Sequence, residues 1–404
     1  MKDVFRVRRM WRPRGELKRR YDVVIVGGGS HGLATAYYLI ANHGIRDIAI
    51  LERSYIGAGA SGRNTTIIRS NYRTPEGAAF YGASVKLYEQ LSARLDFNLM
   101  FSQHGHLTLA HSDRAMNVMQ ERAEVNQLLG IDSRVVGTAE VGRICPQLDV
   151  SDRPTWPILG ALYHPPGGII RHDAVVWGFA RGADRGGAEI HPGTEVTEIL
   201  HEGGRATGVR TNRGDIDAGA VVSAVAGWSS LVAGMAGLRL PITTHILQAF
   251  VTQPVKPFLD TIIVSSQLHV YVSQTDRGEF LIGAEIEPYT TYKSIGTFSF
   301  LETASRHTLE LFPQLAEMRV LRTWTGLCDL SPDYSPILGQ TELENFHVSA
   351  GWGTYGFKAA PIVGVTLAEL VATGKTPELI APFALERFHT DTMVSELAAA
   401  AVSH

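Results

Sequence analysis

Asp22-Val23-Val24-Ile25-Val26 runs directly into Gly27-Gly28-Gly29-Ser30-His31-Gly32 and then into Leu33-Ala34-Thr35-Ala36-Tyr37-Tyr38-Leu39. The order is a short apolar run, a glycine turn and a helical stretch, which reads as a buried parallel strand feeding a helix. A GxGxxG pattern falls on Gly27, Gly29 and Gly32. The first glycine permits the tight turn, the second lets backbone approach a pyrophosphate, and the third lets helix pack closely on strand. Ser30 and His31 then open the helix, whose unpaired N–H groups and dipole favour a phosphate.

Glycine turns arise by chance in a chain with 41 glycines, so the context carries the reading. Ile48-Ala49-Ile50-Leu51 forms the next strand and ends at Glu52, twenty residues after Gly32. A carboxylate there can accept both ribose hydroxyl protons of an adenosine, which fits FAD or NAD and disfavours NADP. Two further stretches favour FAD. Gly57-Ala58-Gly59-Ala60-Ser61-Gly62-Arg63-Asn64-Thr65-Thr66 is a loop of small residues and hydroxyls, suited to a long cofactor lying over backbone amides. Far downstream, Gly351-Trp352-Gly353-Thr354-Tyr355-Gly356-Phe357-Lys358 again opens an apolar helical stretch, Ala359 to Leu370, as though the chain returned to cover a flavin.

Composition bounds the rest. With 404 residues, 45% hydrophobic and 19% charged, the chain is long enough for two globular domains. A net charge of −3 gives no general basic surface, which argues against nucleic acid and anionic membrane as partners. Residues 1–20 depart from this, with nine Lys/Arg against Asp3 and Glu16. That arm reads as a solvated tail or a docking segment for a partner subunit; no apolar run follows it, so it does not read as a signal peptide. The most apolar window, Ala218 to Leu240, is interrupted by serines, glycines and Arg239, and no transmembrane segment is expected. The two cysteines, Cys145 and Cys328, lack CxxC spacing and read as reduced, buried thiols of a cytoplasmic protein.

The expected fold class is α/β: a Rossmann-type FAD-binding domain with a doubly wound parallel sheet, and an interleaved α+β substrate domain containing an antiparallel sheet. The nucleotide domain is expected from residues 21–95, 150–225 and 320–390, the substrate domain from 96–149 and 226–319. Residues 391–404 are expected as a tail. Strand patterns at Leu268 to Ser273 and Glu279 to Ile286 belong to the second domain.

Four longer stretches carry a family resemblance: Arg63 to Tyr72, Arg171-His172-Asp173 through Arg181, Gly351 to Lys358, and Ala381 to Phe388. Through them the chain resembles the D-amino-acid-oxidase-like flavoproteins that include sarcosine and glycine oxidases, and among these the beta subunits of heterotetrameric sarcosine oxidases. The resemblance implies noncovalent FAD held by Gly27, Gly29, Ser30, His31 and Gly32, by Glu52, and by the loop residues Ser61, Arg63, Asn64, Thr65, Thr66 and Ile67. Val196 and the Gly353, Gly356, Lys358 turn complete that set. It also implies a second flavin, FMN, attached covalently through His172 at an interface with another subunit, with His269 and Arg322 as neighbours. Read from the residues alone, His172 would be only a histidine at the start of a helix.

The resemblance further implies oxidation of a secondary N-methyl amino acid such as sarcosine. Partner subunits complete the complex, and tetrahydrofolate is bound largely by one of them. Such chemistry needs an anchored carboxylate, a neutral amine and a C–H bond held close to the flavin. Arg69 is the expected carboxylate clamp because its planar fork can hold a carboxylate bidentately. Lys358 is expected to stabilise negative charge developing on the reduced flavin, and Tyr72 and Tyr355 are expected as pocket walls. Three alternatives stand beside this reading: an N-methylglutamate dehydrogenase subunit on the same framework, a noncatalytic electron-relay flavoprotein, and an NAD dehydrogenase.

Overall fold

The computed structural model describes residues 10–12 and 15–396. Much of the basic arm and residues 397–404 of the expected tail therefore lie outside the described residues.

The first sheet grows from the quoted strand. Arg20–Val26 pairs in parallel with Ile48–Glu52 on one side and Gly214–Ser223 on the other. Glu189–Pro192 and Phe346–Ala350 extend the parallel run at each end, and Ile337–Gln340 closes one edge antiparallel. A strand buried on both faces must be apolar throughout, and Val23 to Val26 are all buried. One face, through Val23, Ile25, Ile48 and Ile50, packs under the helices Ser30–His43, Pro75–Leu95, His172–Gly186 and Ala360–Thr373. The other, through Val24, Val26, Ala49 and Leu51, is covered by antiparallel strands Val196–Glu202 and Arg205–Thr211 and the short helix Ser229–Met235.

The glycine turn explains itself sterically. A Cβ on Gly32 would stand 2.1 Å from the Gly27 carbonyl oxygen. Gly27 itself has φ +110, which side chains rarely tolerate. A second close approach brings the last long helix against the first, where a Cβ at Gly364 would lie 2.7 Å from the Ala34 Cβ.

The second sheet is mainly antiparallel, in the order Val320–Leu330, Thr243–Thr252, Phe280–Ile286, Val270–Gln274, Ile262–Ser265, His106–Ala110, Gly160–His164 and Arg134–Gly137. Its alternation is legible at His106-Leu107-Thr108-Leu109. Leu107 and Leu109 join the core beneath the helix Phe298–Leu311, whereas His106 and Thr108 face a cavity toward the first sheet. Strands Gly160–His164 and Val320–Leu330 hydrogen-bond into this second sheet, although the sequence reading grouped residues 150–225 and 320–390 with the nucleotide domain. Both follow turn-rich segments that also lead back to the first sheet, so sequence order alone does not assign them. No described helix is long and apolar enough to cross a membrane. Cys145 and Cys328 are buried free thiols, as expected.

Candidate active site

The site is assembled at the carboxyl ends of the first sheet's strands, where an open α/β sheet leaves its crevice. At one end Glu52 leaves its strand with both carboxylate oxygens engaged. The Gly28 N–H donates to one at 3.0 Å and the Ser54 N–H to the other at 2.8 Å. Val196 lies close by in the chain path: two residues before it, the Thr194 N–H donates to the Glu52 carbonyl at 2.9 Å. Ser61 reaches the N-terminus of the first helix, where its hydroxyl oxygen accepts the Ser30 N–H at 2.9 Å. The loop that carries it is braced. The Asn64 amide donates to the Ser61 carbonyl, and its oxygen accepts the Thr66 N–H at 2.7 Å, which holds Thr66 at φ 62.

Arg63 turns away from this loop's inner face, donating to the Ala58 and Thr325 carbonyls, while its own carbonyl accepts the Trp324 indole N–H. His31 is also committed to protein. One ring nitrogen lies 2.9 Å from the Ser349 hydroxyl and the other 2.7 Å from the Gly356 carbonyl. Burial pushes its pKa down to about 4 despite the Gly356 contact, so the ring is neutral. His31 thus fastens the first helix to the second glycine turn, and its side chain is a tether.

That second turn is held from two sides. The Gly351 N–H donates to the buried Asp329 carboxylate at 2.6 Å and the Gly353 N–H to the Asp329 carbonyl at 2.8 Å. Burial raises the Asp329 carboxyl to about 7, offset in part by the Gly351 N–H. From the Pro75–Leu95 helix, the Ser84 and Tyr88 hydroxyls donate to the Lys358 and Phe357 carbonyls at 2.6 and 2.7 Å. Gly356 has no room for a side chain, since a Cβ would meet the Trp352 Cβ at 2.9 Å.

Between the two turns and the second sheet lies a partly open cavity of about 80 Å³. Asn64 to Ile67 and Arg69 form one wall, Thr354, Phe357 and Lys358 another, and His106, Thr108, Leu247, Val264 and Tyr271 the roof. Arg69 and Lys358, expected from sequence, therefore share one chamber. The Arg69 guanidinium donates to the Asn71 side-chain oxygen at 3.0 Å and carbonyl at 3.2 Å, and lies 4.4 Å over the Tyr72 ring. Lys358 is buried, and desolvation together with Arg69 drives its pKa well below that of a free lysine. An anion held beside such a lysine favours its charged form.

Two lining residues had not been expected. Arg122, from the helix Asp113–Leu128, is buried and donates from Nε to the Asn71 carbonyl at 2.6 Å, with a terminal nitrogen on the same oxygen. Burial and Arg69 lower its pKa to about 9. His106 is buried, with both ring nitrogens unpartnered among the described residues. In sequence Arg122 sits in a polar helix and reads as a surface arginine, and His106 is one histidine in an alternating strand; neither carries a motif. Conversely, Tyr72 and Tyr355 do not wall the cavity. Both are core residues, with Tyr72 stacked on Tyr81 at 4.0 Å and Tyr355 edge-on to both.

The third group of expected residues lies apart. His172 begins the helix His172–Gly186, half-buried, beside the Arg171–Asp173 ion pair at 2.9 Å. Burial lowers its pKa; Asp173 opposes this, and Arg171 and Arg322 add to it. The lowered pKa favours the neutral imidazole at pH 7. His269 sits in the tight turn before Val270–Gln274 at φ 48, and no hydrogen bond or ring contact joins it to His172 among the described residues.

The glycine turn, closed to a Cβ at Gly27 and Gly32, the acid at the second strand's end and the helix N-terminus fit the adenosine and pyrophosphate half of a dinucleotide. The chain belongs to the FAD dependent oxidoreductase family, which it matches over residues 22–370. Within that family it is 46% identical over 389 residues to the sarcosine oxidase subunit beta of Arthrobacter sp., covering 96% of each chain. It is 45% identical to that of Rhodobacter capsulatus, covering 96% of this chain and 94% of the relative. Among solved structures, the L-proline dehydrogenase from P. horikoshii superposes with a TM-score of 0.87 at 30% identity, covering 94% of this chain and all of that one. The α/β fold with interleaved domains, the FAD-dependent oxidoreductase class and the likeness to sarcosine oxidase beta subunits are as the sequence led us to expect.

Proposed function

We propose that the chain oxidises a secondary N-methyl amino acid of the sarcosine type, as the dehydrogenating subunit of a heteromeric complex. The observation that carries this is the cavity in which Arg69 and Lys358 converge beside the Asn64 to Ile67 loop and the second glycine turn. FAD bound there supplies the hydride acceptor. The protein supplies position and charge. Arg69 holds the substrate carboxylate, with its fork preset by Asn71. The Arg69 and Arg122 guanidiniums that line the cavity disfavour a protonated amine, so the substrate is held with its nitrogen lone pair free. Lys358, buried in the same chamber, stands where its charge can offset negative charge collecting on the reduced flavin. The apolar roof of Leu247 and Val264 excludes water from the reacting carbon. Around the cofactor, Gly27, Gly29, Gly32 and Ser30 take the pyrophosphate, and Glu52 and Val196 the adenosine. Ser61, Asn64, Thr65, Thr66 and Ile67 take the ribityl and ring edge, and Gly353, Gly356 and Lys358 close over it. Arg63 acts by shaping the loop.

The reading extends to a covalent FMN on His172. The neutral, half-buried imidazole at a helix start near Arg322 is chemically suited to attachment at the flavin 8-methyl carbon. Electrons would leave through it to oxygen or another acceptor. His269 serves this second site only if a partner chain brings the two histidines to one ligand. A partner is in keeping with the name "subunit" carried by the bacterial relatives and with the exposed Val320 and Leu321 next to Arg322 on an edge strand. In such a complex tetrahydrofolate belongs to the partner, and the assembly works in the cytoplasm.

The test is acid denaturation of the purified complex followed by the intact mass and visible absorbance of this chain. Flavin retained on the polypeptide with the added mass of FMN, and lost in His172→Ala, establishes the two-flavin reading. Release of all flavin as FAD reduces the chain to a single-flavin amine oxidase.

A further inference from the structure

We propose that Arg122 and His106 form a second anion subsite in the cavity shared by Arg69 and Lys358, and that the preferred substrate is a secondary amine bearing two carboxylates. The inference deepens the amine-oxidation reading and rests on it.

Three observations converge. First, Arg122 is 7% exposed yet opens onto the cavity, and it makes no ion pair within 4.0 Å among the described residues. Its described hydrogen bonds go to one backbone carbonyl, that of Asn71. The acid that acts on it at longer range is Glu396, whose carboxylate already accepts the Arg73 and Thr74 N–H groups and the Thr74 hydroxyl. A buried guanidinium in this state gains strongly from an anion delivered by a ligand. Second, His106 is 2% exposed, lines the same cavity and has no hydrogen-bond partner at either ring nitrogen among the described residues. Its pKa is driven well down by burial and by Arg69, His164, Arg122 and Lys358, so it stays neutral. A neutral imidazole has one N–H to donate, and a carboxylate oxygen is a matching acceptor. Third, the lining holds two guanidiniums and a lysine but no Asp or Glu. One substrate carboxylate offsets Arg69 and leaves Arg122 facing the cavity uncompensated. A second carboxylate offsets it and satisfies His106 as well.

The class this selects is an N-methylated dicarboxylic amino acid or an N-carboxymethyl amino acid. The experiment uses the assembled, flavin-loaded enzyme and anaerobic flavin bleaching. N-methyl-L-glutamate is compared with its amide isostere N-methyl-L-glutamine, and N-methylglycine serves as the monocarboxylate reference. The expected result is a kcat/KM ratio of about tenfold or more for the dicarboxylate over its amide, falling toward unity in Arg122→Met. Arg122→Lys and His106→Asn, expected to give intermediate ratios, cover a methionine variant that fails to assemble. A ratio near unity in the parent enzyme, or one unchanged in these variants, overturns the second subsite. If N-methylglycine bleaches the flavin while the ratio is unity, the second subsite fails and amine oxidation stands. If none of the three bleaches it, amine oxidation itself fails. Binding is read separately with two thioethers that cannot be dehydrogenated at nitrogen, thiodiacetate and (methylthio)acetate. Thiodiacetate is expected to raise the melting temperature more than (methylthio)acetate does, and equal shifts count against the subsite.

Discussion

Arg69 and Arg122 meet at a single acceptor, the backbone carbonyl of Asn71, and only Arg69 also reaches the Asn71 side-chain oxygen. Two guanidiniums on one oxygen repel each other, and the side-chain amide is what fixes the aim of Arg69. Asn71→Ala removes that oxygen while leaving the carbonyl. We expect KM to rise about tenfold, with the limiting rate of flavin reduction little changed, because the clamp loosens before and after hydride transfer alike. Steady-state kinetics alongside FAD content check this, and a fall in kcat at constant KM would contradict the positioning role.

Arg69→Met deletes the clamp itself. A charge-assisted, forked contact is worth roughly 1.5–3 kcal/mol, so kcat/KM should drop by about tenfold to about 150-fold. FAD content should hold, since Arg69 stands beyond the Asn64 to Ile67 loop.

Lys358→Met separates stability from activity. A buried lysine whose pKa is lowered costs stability at every pH below its unfolded value, where the unfolded chain holds a proton the native one resists. The variant should therefore melt at a higher temperature at pH 7 while bleaching its flavin more slowly. Calorimetry and stopped-flow absorbance on the same sample decide it.

Acid sensitivity follows from buried imidazoles. His31, His164 and His347 are each pushed down to about 4 by burial. For a group with a lowered native pKa, protons bind the unfolded chain first. Stability is full above about pH 6.5 and falls as pH drops toward 4, by on the order of 1–2 kcal/mol per ring by pH 5. Denaturant midpoints measured between pH 7 and pH 5 should decline accordingly, and less so in His347→Gln.

The glycine cradle gives the most severe prediction. In Gly32→Ala the new Cβ would meet the Gly27 carbonyl at 2.1 Å, and neither backbone can yield without opening the turn. The variant should purify without FAD. Gly44→Ala, at a helix end where a side chain meets open space, should keep its cofactor and lose only some stability from its positive φ.

The parts of the site that sequence reveals are those in which backbone geometry dictates residue type. Gly27 and Gly32 are legible because only glycine fits, Gly29 because it completes their spacing, and Glu52 because the unit's length fixes where its second strand ends. Arg69 and Lys358 are legible by their places after glycine-rich or apolar segments. Arg122 and His106 are not. A buried arginine on a polar helix has the same local signature as an exposed one, and only the tertiary path past Asn71 tells them apart. The strand Val320–Leu330 misleads for a similar reason: it lies next in sequence to segments of the first sheet but pairs with Thr243–Thr252 in the second. Tyr72 and Tyr355 look like pocket walls because they flank Arg69 and Lys358, yet both rings pack in the core against Tyr81.

The tether from His31 to Ser349 and Gly356 joins residues more than three hundred positions apart. During synthesis the first strand and glycine turn leave the ribosome more than three hundred residues before the second turn that completes the chamber. Cofactor loading therefore waits on that second turn. A nascent chain halted before Lys358 carries a half-built cradle and an apolar sheet face with nothing to close over it, so premature termination should yield aggregation and proteolysis in place of a smaller working enzyme.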